Sequence, residues 1–314
     1  MSTRVAVVGG GANSEHEVSR ASADSVATAL DPQRFEVVRI DVARTGGWLD
    51  ATGRPLQPAE AVAVLAGCDV LFPLVHGPGG EDGTLAALAT AIGLPCVGSG
   101  LLAGAVGMDK WLTKLVAAEH GVRVARGDLV AAGDTWPGPC VVKPVAAGSS
   151  NGVRLVDDAA GWEPALAAAR AEDPRVLAEE VLVGREIDVA VLRRADGSLL
   201  VSPALEVRVE GFFDYEAKYS GGAQFQVPAP LEAAASAELE RLARTVFTAL
   251  GCAGVARVDF FLTADGWVLN EVNTVPGMTA TSQVPLMFEA AGLGYPDLLA
   301  ELVEAARPRR RAAA

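Results

Sequence analysis

The stretch RVDFFLTADGWVLNEVNTVPGMT, residues 257–279, decides the fold of this chain. Its apolar residues predict one strand at 254–262 and a second at 267–272. Side chains alternate along a strand, so polar groups two positions apart share one face. If the two strands pair as a hairpin, Asp259 and Glu271 can meet on one face of an otherwise apolar sheet.

Three oxygen-bearing side chains belong to that face: Asp259, Glu271 and Asn273. Hard oxygen donors without histidine or thiolate suit Mg²⁺ shared with substrate phosphates, and do not suit Zn²⁺. The alternative is a solvated sheet edge, but isolated carboxylates on apolar strands would be costly to bury. The pattern therefore favours a magnesium site that serves a phosphate-bearing substrate.

Lysine is scarce in this chain, since only four of the 26 basic residues are lysines: Lys110, Lys114, Lys143 and Lys218. A lysine carries a compact point charge that an arginine does not replace, so a lysine kept in such a chain is a candidate functional residue. Lys143 ends a predicted strand just before the Ser/Gly loop at 146–152, where backbone N–H groups can also meet a phosphate. For each lysine taken singly, a solvated position stays an open alternative.

The sequence does not satisfy three familiar motifs of nucleotide-binding proteins and hydrolases. The glycines at 9–11 follow a strand, but Ser14 occupies the third glycine position of a dinucleotide fingerprint. Residues 148–152 match the nucleophile elbow of hydrolases, yet every histidine precedes this segment, which is the wrong order for that fold. No Gly-Lys dipeptide exists in the chain, so a Walker A phosphate loop is absent.

Composition limits the class of protein. The chain has 314 residues, of which 50% are hydrophobic, and a net charge of −13. Such a length suits two or three globular domains. The negative charge argues against a nucleic-acid partner, which requires basic surface. The four cysteines form no CxxC pair, which predicts free thiols in a reducing compartment.

One uncharged segment, residues 83–108, is long enough to cross a bilayer. Glycine and proline interrupt it twice, so it predicts two short buried elements and no spanning helix. The N-terminus lacks the features of a signal peptide. We therefore expect no membrane partner and a cytoplasmic location.

Strands alternate with helices along the first hundred residues, which predicts an α/β domain with a parallel sheet. The pattern changes afterwards, and we predict three domains, at 1–98, 99–184 and 185–314. The irregular polar segment 206–230 is typical of a lid over a site.

Seven blocks of sequence resemble motifs of D-alanine–D-alanine ligases, in the family's order and over nearly the whole chain. The blocks are EHEVS at 15–19, HGPGGEDGT at 76–84, MDK at 108–110, KP at 143–144, GSS at 148–150, DYEAKY at 214–219 and NTVPGMT at 273–279. Any one block could arise by chance, but the ordered set is specific. The resemblance implies an ATP-grasp fold with an N-terminal Rossmann-like domain, a central domain, a C-terminal catalytic domain, and a homodimer.

The resemblance also implies a reaction in which ATP and two D-alanines are substrates and an acyl phosphate is the intermediate. It assigns catalytic roles to Glu15, Ser149, Tyr219, Arg257 and the backbone N–H of Gly277. It assigns nucleotide contacts to Lys110, Lys143, Glu179, Leu182, Glu186 and Lys218. Glu15, His76, Ser282 and Gln283 are expected to contact the amino acids. Two Mg²⁺ ions, replaceable by Mn²⁺, are expected on Asp259, Glu271 and Asn273.

The chain departs from the family pattern at several positions, two of which lie close to the expected site. Glu180 reverses the charge of a frequent lysine, and Gln283 replaces a common apolar residue after Ser282. A paralogous ligase that joins other amino or hydroxy acids is therefore the second hypothesis. A non-enzymatic binding module is a third, which the intact set at Arg257 and the oxygen donors makes weaker.

Overall fold

The computed structural model describes residues 2–208 and 224–307. An N-terminal sheet is built from β1 (Thr3–Gly10), β2 (Phe35–Val42), β3 (Trp48–Asp50), β4 (Pro55–Leu56) and β5 (Val70–Pro73). Its order is β4-β3-β2-β1-β5, and β1 runs parallel to both β2 and β5. The predicted parallel sheet is confirmed, with a short antiparallel extension through β3 and β4.

The centre of this sheet is β1, whose apolar run from Val5 to Val8 is fully buried because helices cover both faces. The helices are α1 (His16–Ala29), α2 (Pro58–Ala66) and α3 (Thr84–Ala91). In α1 the buried residues Ser19, Ser22, Ala23 and Val26 recur at helical spacing and form one stripe.

The uncharged segment folds as predicted, into two short helices separated by turns. These two helices are α3 and α4 (Leu101–Met108), and α5 (Lys110–Glu119) follows them. Asp109 separates the last two and caps α5, because its carboxylate accepts the N–H of Leu112. Among the helices within 2–208 and 224–307, none is long and apolar enough to cross a membrane.

A second sheet is wholly antiparallel, in the order β6-β9-β7-β8. Its strands are β6 (Gly127–Leu129), β7 (Cys140–Pro144), β8 (Arg154–Val156) and β9 (Val176–Glu180), and α6 (Trp162–Glu172) covers one face. Val142, Trp162 and Leu166 lie in the core between them. The Ser/Gly loop connects β7 to β8, so Lys143, one residue before the end of β7, stands close to the loop's start.

A third sheet carries the hairpin. Its strands are β10 (Gly184–Arg193), β11 (Leu199–Val201), β12 (Leu205–Arg208), β13 (Gln224–Gln226), β14 (Val255–Thr263) and β15 (Gly266–Asn273). The order is β13-β12-β10-β14-β15, with β11 beside β10 and α7 (Ala233–Ala249) packed on one face. The predicted hairpin of β14 and β15 is confirmed, and Asp259 stands directly opposite Glu271.

The last helices, α8 (Gln283–Ala290) and α9 (Tyr295–Ala306), return to the N-terminal sheet. Their side chains Phe288 and Leu302 share a core with Val5 of β1 and Leu192 of β10. The limits 1–98, 99–184 and 185–314 stay a prediction, and this core joins the first segment to the third. All four cysteines are free thiols, as predicted.

Candidate active site

Two cavities adjoin in the middle of the molecule. The first has a volume of about 230 Å³ and lies between the N-terminal sheet and the third sheet. The second has a volume of about 440 Å³ and lies between the second and third sheets. Both are lined by Lys110, Ala147 and Glu271. A molecule in one cavity can therefore touch a molecule in the other beside these residues.

The structure brings most of the predicted site residues to these two cavities. The first cavity is lined by Glu15, His76, Ser149, Arg257, Asn273, Gly277, Ser282 and Gln283. The second is lined by Lys143, Glu179, Leu182 and Glu186. Asp259 lies behind the wall of the first cavity, where it pairs with Arg257. The predicted residues Lys218 and Tyr219 lie outside the described residues.

Glu15 stands just before α1 and is tightly enclosed. Its carboxylate accepts a 2.5 Å hydrogen bond from the hydroxyl of Ser149. A Cβ on Gly77 would come within 2.6 Å of the carboxylate, and one on Gly148 would come closer still. Ser149 and Ser150 have φ values of 54° and 55°, a left-handed conformation that costs energy and is characteristic of functional loops.

His76 is buried and both of its ring nitrogens are engaged. Nδ1 lies 2.7 Å from the carbonyl oxygen of Val275, which can only accept, so Nδ1 carries the proton. Nε2 then accepts from the hydroxyl of Ser22 at 3.0 Å. Burial lowers the pKa of His76 below its ordinary value. The neutral ring thus ties α1 to the segment after β15, at the wall of the first cavity.

Arg257 presents a permanent positive charge to the first cavity. Its guanidinium donates two hydrogen bonds of 2.7 Å to the carboxylate of Asp259. Burial alone would lower the pKa of Arg257, but the charge of Asp259 more than offsets this and raises it above the ordinary value. A fixed cation in a partly enclosed cavity suits an anion that forms during a reaction.

The hairpin brings the predicted oxygen donors together. Asp259 and Glu271 are cross-strand partners, and the amide of Asn273 donates to Asp259 at 3.0 Å. Nζ of Lys110 lies 3.4 Å from Glu271. Within the described part of the chain, no group of three or more His, Cys, Asp and Glu could hold a metal. The set here consists of two carboxylates and one amide, the hard ligands that Mg²⁺ accepts.

A buried ion triad stands at the second cavity. One oxygen of Glu179 is 2.6 Å from Lys114 and the other is 2.5 Å from Lys143. Burial, and then the charge of Lys143, lowers the pKa of Lys114 to about 8. Burial alone would raise the pKa of Glu179, but the two ammonium groups hold it below its ordinary value. Lys114 was not among the predicted site residues, although lysine scarcity had singled it out.

Glu81 is a second residue that the sequence reasoning missed. It is buried on the wall of the first cavity, and its carboxylate accepts N–H groups of Gly77 at 3.2 Å and Val275 at 3.3 Å. Burial and then the charge of Glu15 raise the pKa of Glu81 to about 7. Its place inside the block at 76–84 was the only signal available in the sequence.

Two of the departures from the family pattern, Glu180 and Gln283, have partners in the structure. Glu180 accepts hydrogen bonds from the guanidinium of Arg126 at 2.9 and 2.7 Å, and these bonds lower its pKa. Gln283 donates its amide N–H to the buried carboxylate of Asp188 at 2.7 Å. Each unusual side chain is therefore compensated by a neighbour that is distant in sequence.

Solved structures of similar fold define the class of protein. The VanG D-Ala:D-Ser ligase from Enterococcus faecalis matches with a TM-score of 0.86 at 31% identity, covering 98% of this chain and 100% of that chain. The D-alanine-D-alanine ligase from Coxiella burnetii matches with a TM-score of 0.83 at 28% identity, covering 97% and 94%. The chain has the ATP-grasp fold of these ligases, as predicted.

Sequence comparison narrows the class. The family model for the D-ala D-ala ligase N-terminus matches residues 4–99, and that for the C-terminus matches residues 123–304. The D-alanine–D-alanine ligase of Mycobacterium sp. (strain KMS) is 41% identical over 364 residues, covering 98% of this chain and 97% of the relative. This chain belongs to the D-alanine–D-alanine ligase family.

Proposed function

We propose that this protein is an ATP-dependent ligase that joins two D-alanines into D-alanyl-D-alanine, a precursor for peptidoglycan, in the cytoplasm. One observation carries the proposal most directly: the two cavities meet at Lys110 and Glu271. A nucleotide in the second cavity would extend its terminal phosphate to this junction. An amino acid in the first cavity would meet it there with its carboxylate.

In the first step, a carboxylate oxygen of one D-alanine attacks the γ-phosphorus of ATP, and ADP leaves. Glu15, held by Ser149, binds the ammonium group of this D-alanine. Lys110 and Lys143 contact the phosphates, since both residues line the second cavity. Phosphoryl transfer depends mainly on such positioning and on charge neutralisation.

In the second step, the free amine of the other D-alanine attacks the carbonyl carbon of the acyl phosphate. A tetrahedral oxyanion forms, phosphate leaves with the former carboxylate oxygen and takes up the proton that the amine nitrogen loses, and an amide bond remains. The guanidinium of Arg257 and the N–H of Gly277 stabilise the oxyanion. Ser282 binds the carboxylate of the attacking D-alanine, and Gln283 and His76 complete the wall beside it.

Other predicted contacts complete the proposal. Glu179 and Leu182 offer backbone groups to the adenine edge, and Glu186 binds the ribose hydroxyls. Two residues outside the described part of the chain are given roles from the family motif alone. That motif gives Lys218 a contact with the γ-phosphate and gives Tyr219 a link to Ser149.

Asp259, Glu271 and Asn273 would hold Mg²⁺, with two ions expected and Mn²⁺ as a replacement. The ions would supply positive charge that neutralises the phosphate oxygens of ATP. The paired strands hold Asp259 opposite Glu271, and the double hydrogen bond from Arg257 fixes the carboxylate of Asp259.

We also propose a homodimer, on the strength of the family membership. Light scattering or sedimentation of the purified chain is expected to give about twice the monomer mass of 32.3 kDa. A monomer mass at micromolar concentration would contradict the dimer and leave the reaction untouched.

The test of the reaction is ATP-dependent phosphate release with Mg²⁺ and D-alanine, with L-alanine and no amino acid as controls. We expect release only with D-alanine, and D-alanyl-D-alanine as the product identified by mass. Release that does not depend on D-alanine would contradict the proposal. A panel of D-amino and D-hydroxy acids as second substrates separates this reaction from that of a paralogous ligase.

A further inference from the structure

Asp188 is a carboxylate buried behind the wall of the first cavity. It lies on β10, is 1% exposed, and stands opposite Asp259 of β14. Its Oδ2 accepts the 2.7 Å hydrogen bond from Gln283 and is 3.7 Å from Nε of Arg257. Arg257 and Gln283 both line the first cavity. One buried oxygen therefore connects two side chains that face the substrates from different elements.

The contact fixes the orientation of the Gln283 amide. An ionised carboxylate can only accept hydrogen bonds, so the nitrogen of the amide must face Asp188. Gln283 is the first residue of α8 and directly follows Ser282. Because the start of α8 carries both residues, anchoring Gln283 on the third sheet also anchors the hydroxyl of Ser282 relative to Arg257.

The buried charges around Arg257 explain why a hydrogen-bond donor is needed at position 283. The guanidinium of Arg257 stands between two carboxylates, with a double hydrogen bond to Asp259 and a longer contact to Asp188. Two buried negative charges beside one positive charge require further donors, because an insufficiently hydrogen-bonded buried charge is costly. The N–H of Gln283 is such a donor. The guanidinium of Arg257 therefore keeps its double hydrogen bond to Asp259.

We propose that Asp188 and Gln283 form a positioning pair, which holds Arg257 and the pocket for the attacking amino acid in their relative places. This inference rests on the proposed ligase reaction and refines its second step. Neither residue of the pair performs chemistry in it. The pair acts through Arg257, which stabilises the oxyanion, and through Ser282, which binds the carboxylate of the attacking D-alanine.

A donor–acceptor exchange tests the pair. Gln283→Glu keeps the size of the side chain but sets a carboxylate against Asp188. In the double variant Asp188→Asn with Gln283→Glu, the amide and the carboxylate change places and the hydrogen bond can form again. The single variants Asp188→Asn and Gln283→Leu complete the set. For each variant we would measure kcat, KM for ATP and KM for the attacking D-alanine.

Gln283→Glu is expected to lower kcat/KM for the attacking D-alanine by at least about tenfold, the usual range for a charged hydrogen bond. Gln283→Leu should have a smaller effect in the same direction. The double variant should recover at least about threefold relative to Gln283→Glu. KM for ATP should stay within about twofold throughout, since the pair does not face the second cavity.

A purely structural role would give a different pattern, in which KM for ATP and KM for D-alanine rise together. That result would overturn the inference. It would also be overturned if Gln283→Glu had the same kcat/KM for D-alanine as the unmodified protein, or if the double variant had a kcat/KM no higher than that of Gln283→Glu. If Gln283→Glu does not fold, as thermal unfolding would show, a further double variant that carries Asp188→Asn and Gln283→Leu would replace it, and additive effects of these two substitutions would overturn the inference. If the unmodified protein releases no phosphate with D-alanine, the proposed function fails and this inference fails with it.

Discussion

At the scale of single residues, the site depends on how closely Glu15 is enclosed. Its carboxylate is held by Ser149 and lies against the backbone of two glycines. The proposed ammonium contact therefore depends on the absence of side chains at Gly77 and Gly148. The left-handed backbone of Ser149 and Ser150 places the hydroxyl that holds this carboxylate.

Gly148→Ala should displace Glu15, because the added Cβ would overlap its carboxylate. We expect kcat/KM for D-alanine to fall at least about tenfold, since a shift of about 1 Å can cost more than that. Steady-state kinetics measures the loss. Gly100→Ala is the matched control, because a Cβ there meets nothing within 4 Å. Equal activity of the two variants would contradict the proposed role of Glu15.

Glu81 should make stability depend on pH. Its carboxyl has an ordinary pKa of 4.5, which burial and the charge of Glu15 raise to about 7 in the folded protein. The folded state therefore favours the protonated form, and this contribution to stability is lost as pH rises from about 4.5 to about 7. Acidification within that window should stabilise the unmodified protein more than Glu81→Gln.

Chemical unfolding at pH 5.5 and pH 8 measures this effect. The difference in free energy of unfolding between the unmodified protein and Glu81→Gln should be larger at pH 5.5. Because other titrating groups are common to both proteins, their contributions cancel in the difference. A difference that is independent of pH, or that grows toward pH 8, would show that Glu81 does not titrate as described.

At the scale of elements, the hairpin of β14 and β15 provides the oxygen donors. Glu271→Gln keeps the size and the strand but removes one negative charge opposite Asp259. We expect the Mg²⁺ concentration for half-maximal activity to rise at least about tenfold, because the proposed Mg²⁺ site would lose a charged ligand. Asn270→Asp, which adds a charge on the next residue of the same strand, is the control for a general electrostatic effect.

The triad at the second cavity connects α5, β7 and β9. Lys114→Met would leave Glu179 with Lys143 as its partner in the triad. If Lys143 moves to a phosphate, Glu179 then loses both ammonium groups. We expect KM for ATP to rise at least about tenfold while KM for D-alanine stays within about twofold. Equal changes in both constants would contradict this assignment.

Local pattern predicted the elements better than it predicted their partners. Alternation at 254–262 and 267–272 was enough to place Asp259 opposite Glu271, because a hairpin joins neighbouring strands. The contact of Asp188 with Gln283 joins residues 95 positions apart, and that of Arg126 with Glu180 joins residues 54 apart. Strand periodicity contains no information on which distant elements become neighbours. Family motifs supplied Glu15, Ser149 and His76, but no motif indicated Lys114 as a site residue.

At the scale of the whole molecule, the reaction depends on three sheets that surround two joined cavities. The last helices return to the N-terminal sheet and share one core with it, so Glu15, just before α1, lines the same cavity as Arg257 of the third sheet. The junction at Lys110 and Glu271 is where the carboxylate of one substrate would meet the phosphate of the other. The central claim is therefore that an oxygen passes between them.

That claim is tested most directly with D-alanine labelled with ¹⁸O in both carboxylate oxygens. The carboxylate attacks phosphorus in the first step and its C–O bond breaks in the second, so one labelled oxygen should leave with each phosphate. Mass spectrometry of the released phosphate measures the label. One ¹⁸O per phosphate, with the other retained in the dipeptide amide, is the predicted result. Phosphate that carries no label from D-alanine would contradict the account.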